Sequence, residues 1–221
     1  MDHWAADALQ RIKRLEKELA RFRASVVVGG DSDGSTGPTG PGVGATEPAG
    51  PGWFKASVTG QTGFASDTVL TGTVVTMATG GWQAGQQYHA TFDMTKTATG
   101  TATPIISVRM GTAGTTSDGA VATITFAAGT GVADTGIFDV WVNFRTVGSG
   151  TSAVIEAVSR CCHLLAATGL TSTGASGTGI IVASTSSGFN SSACSKLHLS
   201  FNGGTNFSGT CQIQQAAVMG P

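Results

Sequence analysis

The sequence predicts a mostly β protein with a helical front. An N-terminal parallel coiled coil is expected over residues 1–28, a Gly/Pro linker over 29–52, and a C-terminal antiparallel β-sandwich head, jelly-roll-like, over 53–221. Three observations predict this. Apolar residues recur at 3-4 spacing through the first 26 positions, a short glycine-proline stretch follows, and everything beyond alternates with period two between Gly-rich turns.

With Ala5 at heptad position a, Ile12, Leu19 and Val26 follow at a, while Ala8, Leu15 and Phe22 take d. About three unbroken heptads are close to the minimum for a coiled coil. Good helix formers fill the positions up to Ala24, and Val26-Val27-Val28-Gly29-Gly30 ends the run. Arg11 and Glu18 fall at g, and Glu16 and Arg23 at e. Parallel chains would then pair Arg11 with Glu16 and Glu18 with Arg23, opposite in sign both times. Ile at a with Leu at d favours two strands in the simplest rule. A lone amphipathic helix lying on the head or on a membrane surface is the competing reading, and Asp7, Glu16 and Glu18 on the polar face weigh against the membrane. The reading adopted is a trimer.

The linker contains Gly34-Ser35-Thr36-Gly37-Pro38-Thr39-Gly40-Pro41-Gly42, with glycine at every third position through Gly34, Gly37 and Gly40. A triple helix needs that register because only hydrogen fits at its axis. Three triplets are not stable alone, but chains already held side by side lower the ordering requirement. The alternative is an ordinary flexible Gly/Pro/Ser tether. Both readings make 29–52 a tether.

In the head, Tyr88, Ala90, Phe92 and Met94 alternate with His89, Thr91, Asp93 and Thr95. Ala122, Ile124 and Phe126 alternate with threonines. Phe138, Val140, Val142 and Phe144 oppose Asp139, Trp141, Asn143 and Arg145, and Leu197, Leu199 and Phe201 oppose Lys196, His198 and Ser200. Weaker runs lie at 69–77, 105–110, 153–160, 179–183 and 211–215, so eight or nine strands are expected. Only 159–168 is ambiguous, since Leu164 to Ala167 suits a helical turn. The outward positions carry Thr, Ser, Ala and Asn where Lys and Glu are usual. Trp141 falls on the polar side of its strand, which predicts that part of this face is buried in an interface.

Charge separates the regions. Six of the twelve Lys and Arg lie between Arg11 and Arg23, and Glu156 is the only glutamate after Glu47. No basic surface suited to phosphates results, so nucleic acid is not an expected partner. No apolar run is long enough to span a bilayer, and the N-terminus does not read as a secretory signal. The aspartates Asp67, Asp93, Asp118, Asp134 and Asp139 are dispersed, and no nucleophile elbow or phosphate-binding glycine loop occurs. No cofactor and no enzymatic activity are expected. Cys161, Cys162, His163, Cys194, His198 and Cys211 lack the paired short spacings of a zinc site. Core cysteines are the favoured reading, with a Cys194–Cys211 disulfide second and zinc last. Asn190 and Asn206 begin glycosylation sequons by letter only.

Arg11-Ile12-Lys13-Arg14-Leu15-Glu16 resembles the Arg-h-x-x-h-Glu motif of short parallel trimeric coiled coils. With the stretch from Gly34 to Gly42 and the Ser/Thr/Gly-rich β head, the order of parts resembles tailed-bacteriophage fibre or minor tail proteins, and equally the head fibres and decoration proteins of such phages. The resemblance implies a homotrimeric virion protein on the tail or capsid surface, assembled in the bacterial cytoplasm. Its partners would be itself, other virion proteins and a bacterial surface glycan. Oligomerisation would rest on Ala5, Ala8, Arg11, Ile12, Leu15, Glu16, Glu18, Leu19, Phe22 and Arg23, and the tether on Gly34, Gly37, Pro38, Gly40 and Pro41. Trp82, Gln83 and Asn206 are the candidate surface contacts, since a ring with amide and hydroxyl groups suits a neutral sugar. A secreted trimer resembling complement or tumour necrosis factor-like heads would call for a signal peptide, longer collagen and disulfides. A glycan-degrading tailspike would call for converging carboxylates.

Overall fold

Two antiparallel sheets pack face to face around a core rich in phenylalanine. In the computed structural model the described residues are 52–220, apart from 78–79, 98–99, 102, 166–167 and 173–178, with side chains described from Lys55 onward. The expected coiled coil, and the tether up to residue 51, lie outside them. The described strands are β1 Gly52–Ser57, β2 Thr68–Val69, β3 Val75–Thr76, β4 Gln87–Lys96, β5 Ile105–Gly111, β6 Gly119–Thr125, β7 Asp134–Thr146, β8 Val154–His163, β9 Ile180–Thr185, β10 Lys196–Asn202, β11 Gly209–Thr210 and β12 Gln214–Met219. Two short 3-10 turns, Thr71–Thr73 and Ser191–Ala193, complete the regular structure.

The large sheet runs β1-β12-β4-β7-β8-β9, with β11 also on β4. The small sheet runs β2-β10-β5-β6, with β3 also on β10. Alternation decides which side chains meet between them. Tyr88, Ala90, Phe92 and Met94 from β4 are buried, as are Phe138, Val140, Val142 and Phe144 from β7. They face Ile106, Val108, Ile124, Leu197, Leu199 and Phe201 of the small sheet. Phe138 sits at the centre, stacked on Phe92 at 5.0 Å and edge-on to Phe126 and Phe201. Each such buried ring contributes roughly 1.5–3 kcal/mol.

The weaker runs resolve differently from the sequence expectation. The run 69–77 is two short strands split by the turn Thr71–Thr73. A side chain at Gly72 would collide with Gln214 and Ser57, and its N–H donates to Gln214 Oε1. The run 211–215 begins as a strand only at Gln214, Cys211 making an isolated bridge to Gln61. The ambiguous segment stays extended through His163, because β8 pairs with β7 along its whole length. His198 and Ser200, expected to face outward, do so but are fully buried beneath the chain's own loops.

Register also sorts the loops to two ends. Gly52 pairs with Met219, Met219 with Gln87, and Gln87 with Asn143. The first strand therefore begins at the same end as the connections 77–86 and 147–153. Lys96 pairs with Asp134 at the opposite end, which also gathers 203–208.

Candidate binding site

Trp82, Gln83 and Asn206 do not form one site. Trp82 lies at the end where the first strand begins, and it is 6% exposed. Its ring stacks on Phe144 at 5.1 Å and 8°, and its Nε1–H donates to Cys194 O at 2.8 Å. Gly80 and Gly81, both at positive φ, turn the chain so that the indole points inward. The expectation of an exposed aromatic contact is thus corrected: Trp82 pins a loop, leaving its edge on a cavity of about 280 Å³ beside Met77 and Ser191. Gln83 next to it is exposed. Asn206 is exposed at the opposite end, in the left-handed conformation with φ 70°.

A larger depression, about 540 Å³, lies on the flank of the sandwich. Its walls include Lys55, Asp67, Thr71, Val74, Thr115 and Thr116. One wall is the loop 112–118, whose first N–H groups converge on one carboxylate. Asp118 accepts N–H groups from Thr112 at 3.2 Å, Ala113 at 3.1 Å and Gly114 at 2.6 Å. The loop needs glycine twice: a side chain at Gly111 would occupy the carboxylate's place, and Gly114 has φ +73°. Burial raises the Asp118 pKa, but those donors and nearby His198 outweigh it, and the group stays below the usual carboxylate range.

Arg109 joins this wall to the other. It donates to Ser200 Oγ at 2.8 Å, to the carbonyls of Thr116 and Asp118, and to Asp67 Oδ2 at 2.5 Å. Asp67 Oδ1 is buried without a partner among the described residues. On the opposite wall the Gln61 side chain holds the segment at Thr71, accepting the Thr71 N–H and donating to Val69 O. The result is a preformed surface of hydroxyls and one ammonium, with the only lining carboxylate tied to arginine. Such a surface can donate to and accept from a polyhydroxylated ligand. Among the described residues Asp67 is the one carboxylate in its lining. Only the scarcity of cations in the head, Lys55 among them, could have pointed to it in sequence.

Other buried polar groups tie the chain to itself. His163 Nδ1 meets Asp134 Oδ2 at 2.7 Å with both side chains fully buried, and the Leu170 N–H donates to the same oxygen. Lys96, also buried, donates to the carbonyls of Thr97, Thr130 and Val132. Burial lowers its pKa, partly opposed by Asp134. The four cysteines are free; Cys161, Cys194 and Cys211 are buried. Burial, then Cys162 and Asp134, push the Cys161 thiol up to about 12, which disfavours a nucleophile there. Among the described residues no three of His, Cys, Asp or Glu are grouped to hold a metal ion, and no helix is long and apolar enough to cross a membrane.

Comparison with protein families and with curated proteins gives no match. Among solved structures the chain is similar to arcelin-5, a lectin-like defense protein from Phaseolus vulgaris. That similarity covers 78% of this chain and 100% of that one, at 5% identity and a TM-score of 0.40.

Proposed function

We propose that this chain is a non-enzymatic, homotrimeric structural protein of a tailed-bacteriophage virion, in which a coiled coil holds three chains together, a tether gives reach, and three β heads bind a bacterial surface glycan. The observation that carries the reading is the order of parts. An apolar seam with oppositely charged e and g positions comes first, then a glycine-proline tether, then a low-charge β-sandwich. The jelly-roll reading of the head is supported by strand order: β1-β12-β4-β7 against β2-β10-β5-β6 is the pairing two Greek keys produce, with β8 and β9 extending one edge. The preformed depression at Lys55, Asp67, Thr71 and Thr116 is the glycan site of this reading. Three weak sites on one particle raise avidity without any tight single site.

Sedimentation of the full chain tests the assembly. The expected mass is that of three chains, falling to one in the double variant Ile12→Asp, Leu15→Asp; an unchanged mass would remove the seam from the argument. Glycan-array or whole-cell binding tests the site. Lys55→Gln with Thr116→Val should weaken binding about thirtyfold per head, the effect of losing one charge-assisted hydrogen bond with a neutral one. Electron microscopy of particles would then place the protein on tail or capsid.

A further inference from the structure

We infer that the outward face of the large sheet is a contact surface between heads, and that its occupant is a second copy of this chain brought there by the N-terminal seam. The inference rests on the trimeric reading above and adds the surface at which the heads meet.

The cross-strand register lays this face out in rows. One row is Ala217, His89, Trp141, Val158 and Ala183; the next is Gln215, Thr91, Asp139, Arg160 and Ile181. Ile137, opposite Cys162, adds a third, and Ile213 joins it through the hydrogen bond from the Asp93 N–H to its carbonyl. Met219 closes the far corner. Four of the seven large hydrophobics exposed among the described residues fall here: Ile181 at 68%, Ile137 at 51%, Ile213 at 49% and Met219 at 41%. At the centre the Trp141 and His89 rings stack at 4.8 Å and 10°. One face of each ring is taken up by the other across the strands. Glu156 and Arg160, both exposed on β8, have no charged partner among the described residues, so a neighbouring copy can supply one of each sign.

On the outward face of the small sheet the chain's own loops bury His198 and Ser200 of β10, leaving Thr123 and Thr125 of β6 exposed, whereas no described segment buries the middle of this face. The described chain begins on β1, an edge strand of this same sheet, and the 51 residues before it carry the seam. Copies delivered by those residues arrive at an effective concentration in the millimolar range. Six strands and about four rows give a face of roughly 800 Å², which threefold symmetry divides between two neighbours, so each contact falls below the roughly 800 Å² per partner of a free-standing interface. The contact therefore depends on the tether, and threefold symmetry makes it heterologous and closed.

Cys162 is a built-in reporter, the one cysteine on this face and the one not buried. The test is the rate of alkylation by a maleimide in the native full chain, assigned by peptide mass spectrometry, with Cys161, Cys194 and Cys211 as controls for an intact fold. The expected result is at least tenfold slower labelling of Cys162 in the intact trimer than in the Ile12→Asp, Leu15→Asp chain. Ile137→Arg should release Cys162 while sedimentation still reports a trimer. Equal Cys162 rates in intact and seam-broken chains, with the masses differing threefold, would overturn the contact and leave the trimer standing. A monomeric wild-type chain would overturn both.

Discussion

His198 and His89 occupy comparable outward positions on the two sheets and meet opposite fates. His198 is 0% exposed, roofed by the loop 112–118, and its Nε2–H donates to Thr115 O at 3.2 Å. The His89 side chain is 34% exposed, leaning on Trp141 near Asp139. Alternation along a strand says only that a residue leaves the shared core. Whether it meets water, its own loops or another molecule is decided by chain far away in sequence. On the small sheet that chain is held by Arg109 and Asp118; on the large sheet no described segment does the same.

The strongest way to break this contrast is to remove the clamp. Arg109→Met takes away donors to Ser200, Thr116, Asp118 and Asp67 while keeping an apolar stem. It leaves Asp67 without its cation, so a loss of about 3 kcal/mol is expected, discounted from the buried-pair range because Asp67 is partly exposed. Urea unfolding of the full chain followed by tryptophan fluorescence measures it; a loss below about 1 kcal/mol would mean the roof is held by something else. Asp118→Ala should cost less, about 2 kcal/mol, by orphaning three N–H groups that solvent can partly reach. Asp118→Asn should recover part of that, since its carbonyl oxygen still accepts from the loop.

Much of the core was legible in the sequence because strands with one buried face write their burial as period two. Phe92, Phe138 and Phe201 were each placed inward by that pattern, and each ring sits where it says. The roof over His198 was not legible. It depends on Asp118 bonding backbone four to six residues away, and on Asp67 meeting Arg109 across 42 positions, neither of which leaves a periodic trace. Trp82 was misplaced for a related reason. A turn marked by Gly80-Gly81 predicts a surface loop, but not that its indole folds back onto Phe144. The depression at Lys55 was missed because its walls come from segments some 50 residues apart, brought together by the pairing of β2 and β5 on either side of β10.

Acid sharpens the comparison more gently. Burial holds the His198 pKa below its ordinary 6.5, with the Thr115 carbonyl and Asp118 opposing. The unfolded chain therefore binds a proton near pH 6 that the folded chain refuses, so the stability is present above 6.5 and declines as pH falls below it. Asp118, held below 3.8, gives up its contribution only at still lower pH. Stability measured between 6.5 and 3.8 should decline in the wild type and flatten in His198→Gln; equal slopes would remove His198 as the cause.

The smallest expected effect belongs to the open face. Ile181 is 68% exposed on the edge strand β9, outside the core cluster. In the seam-broken chain Ile181→Ser should change unfolding stability by no more than about 0.5 kcal/mol, as for surface substitutions that touch no cap, core or network. If three chains assemble as proposed, the same change in the unbroken chain removes apolar area from a surface with a neighbour on it, and its effect should exceed that baseline. Urea titrations in both backgrounds supply the difference. An identical small effect in both would place Ile181 in water in the assembled protein, and the two faces would then differ only in which of them the chain covers with itself.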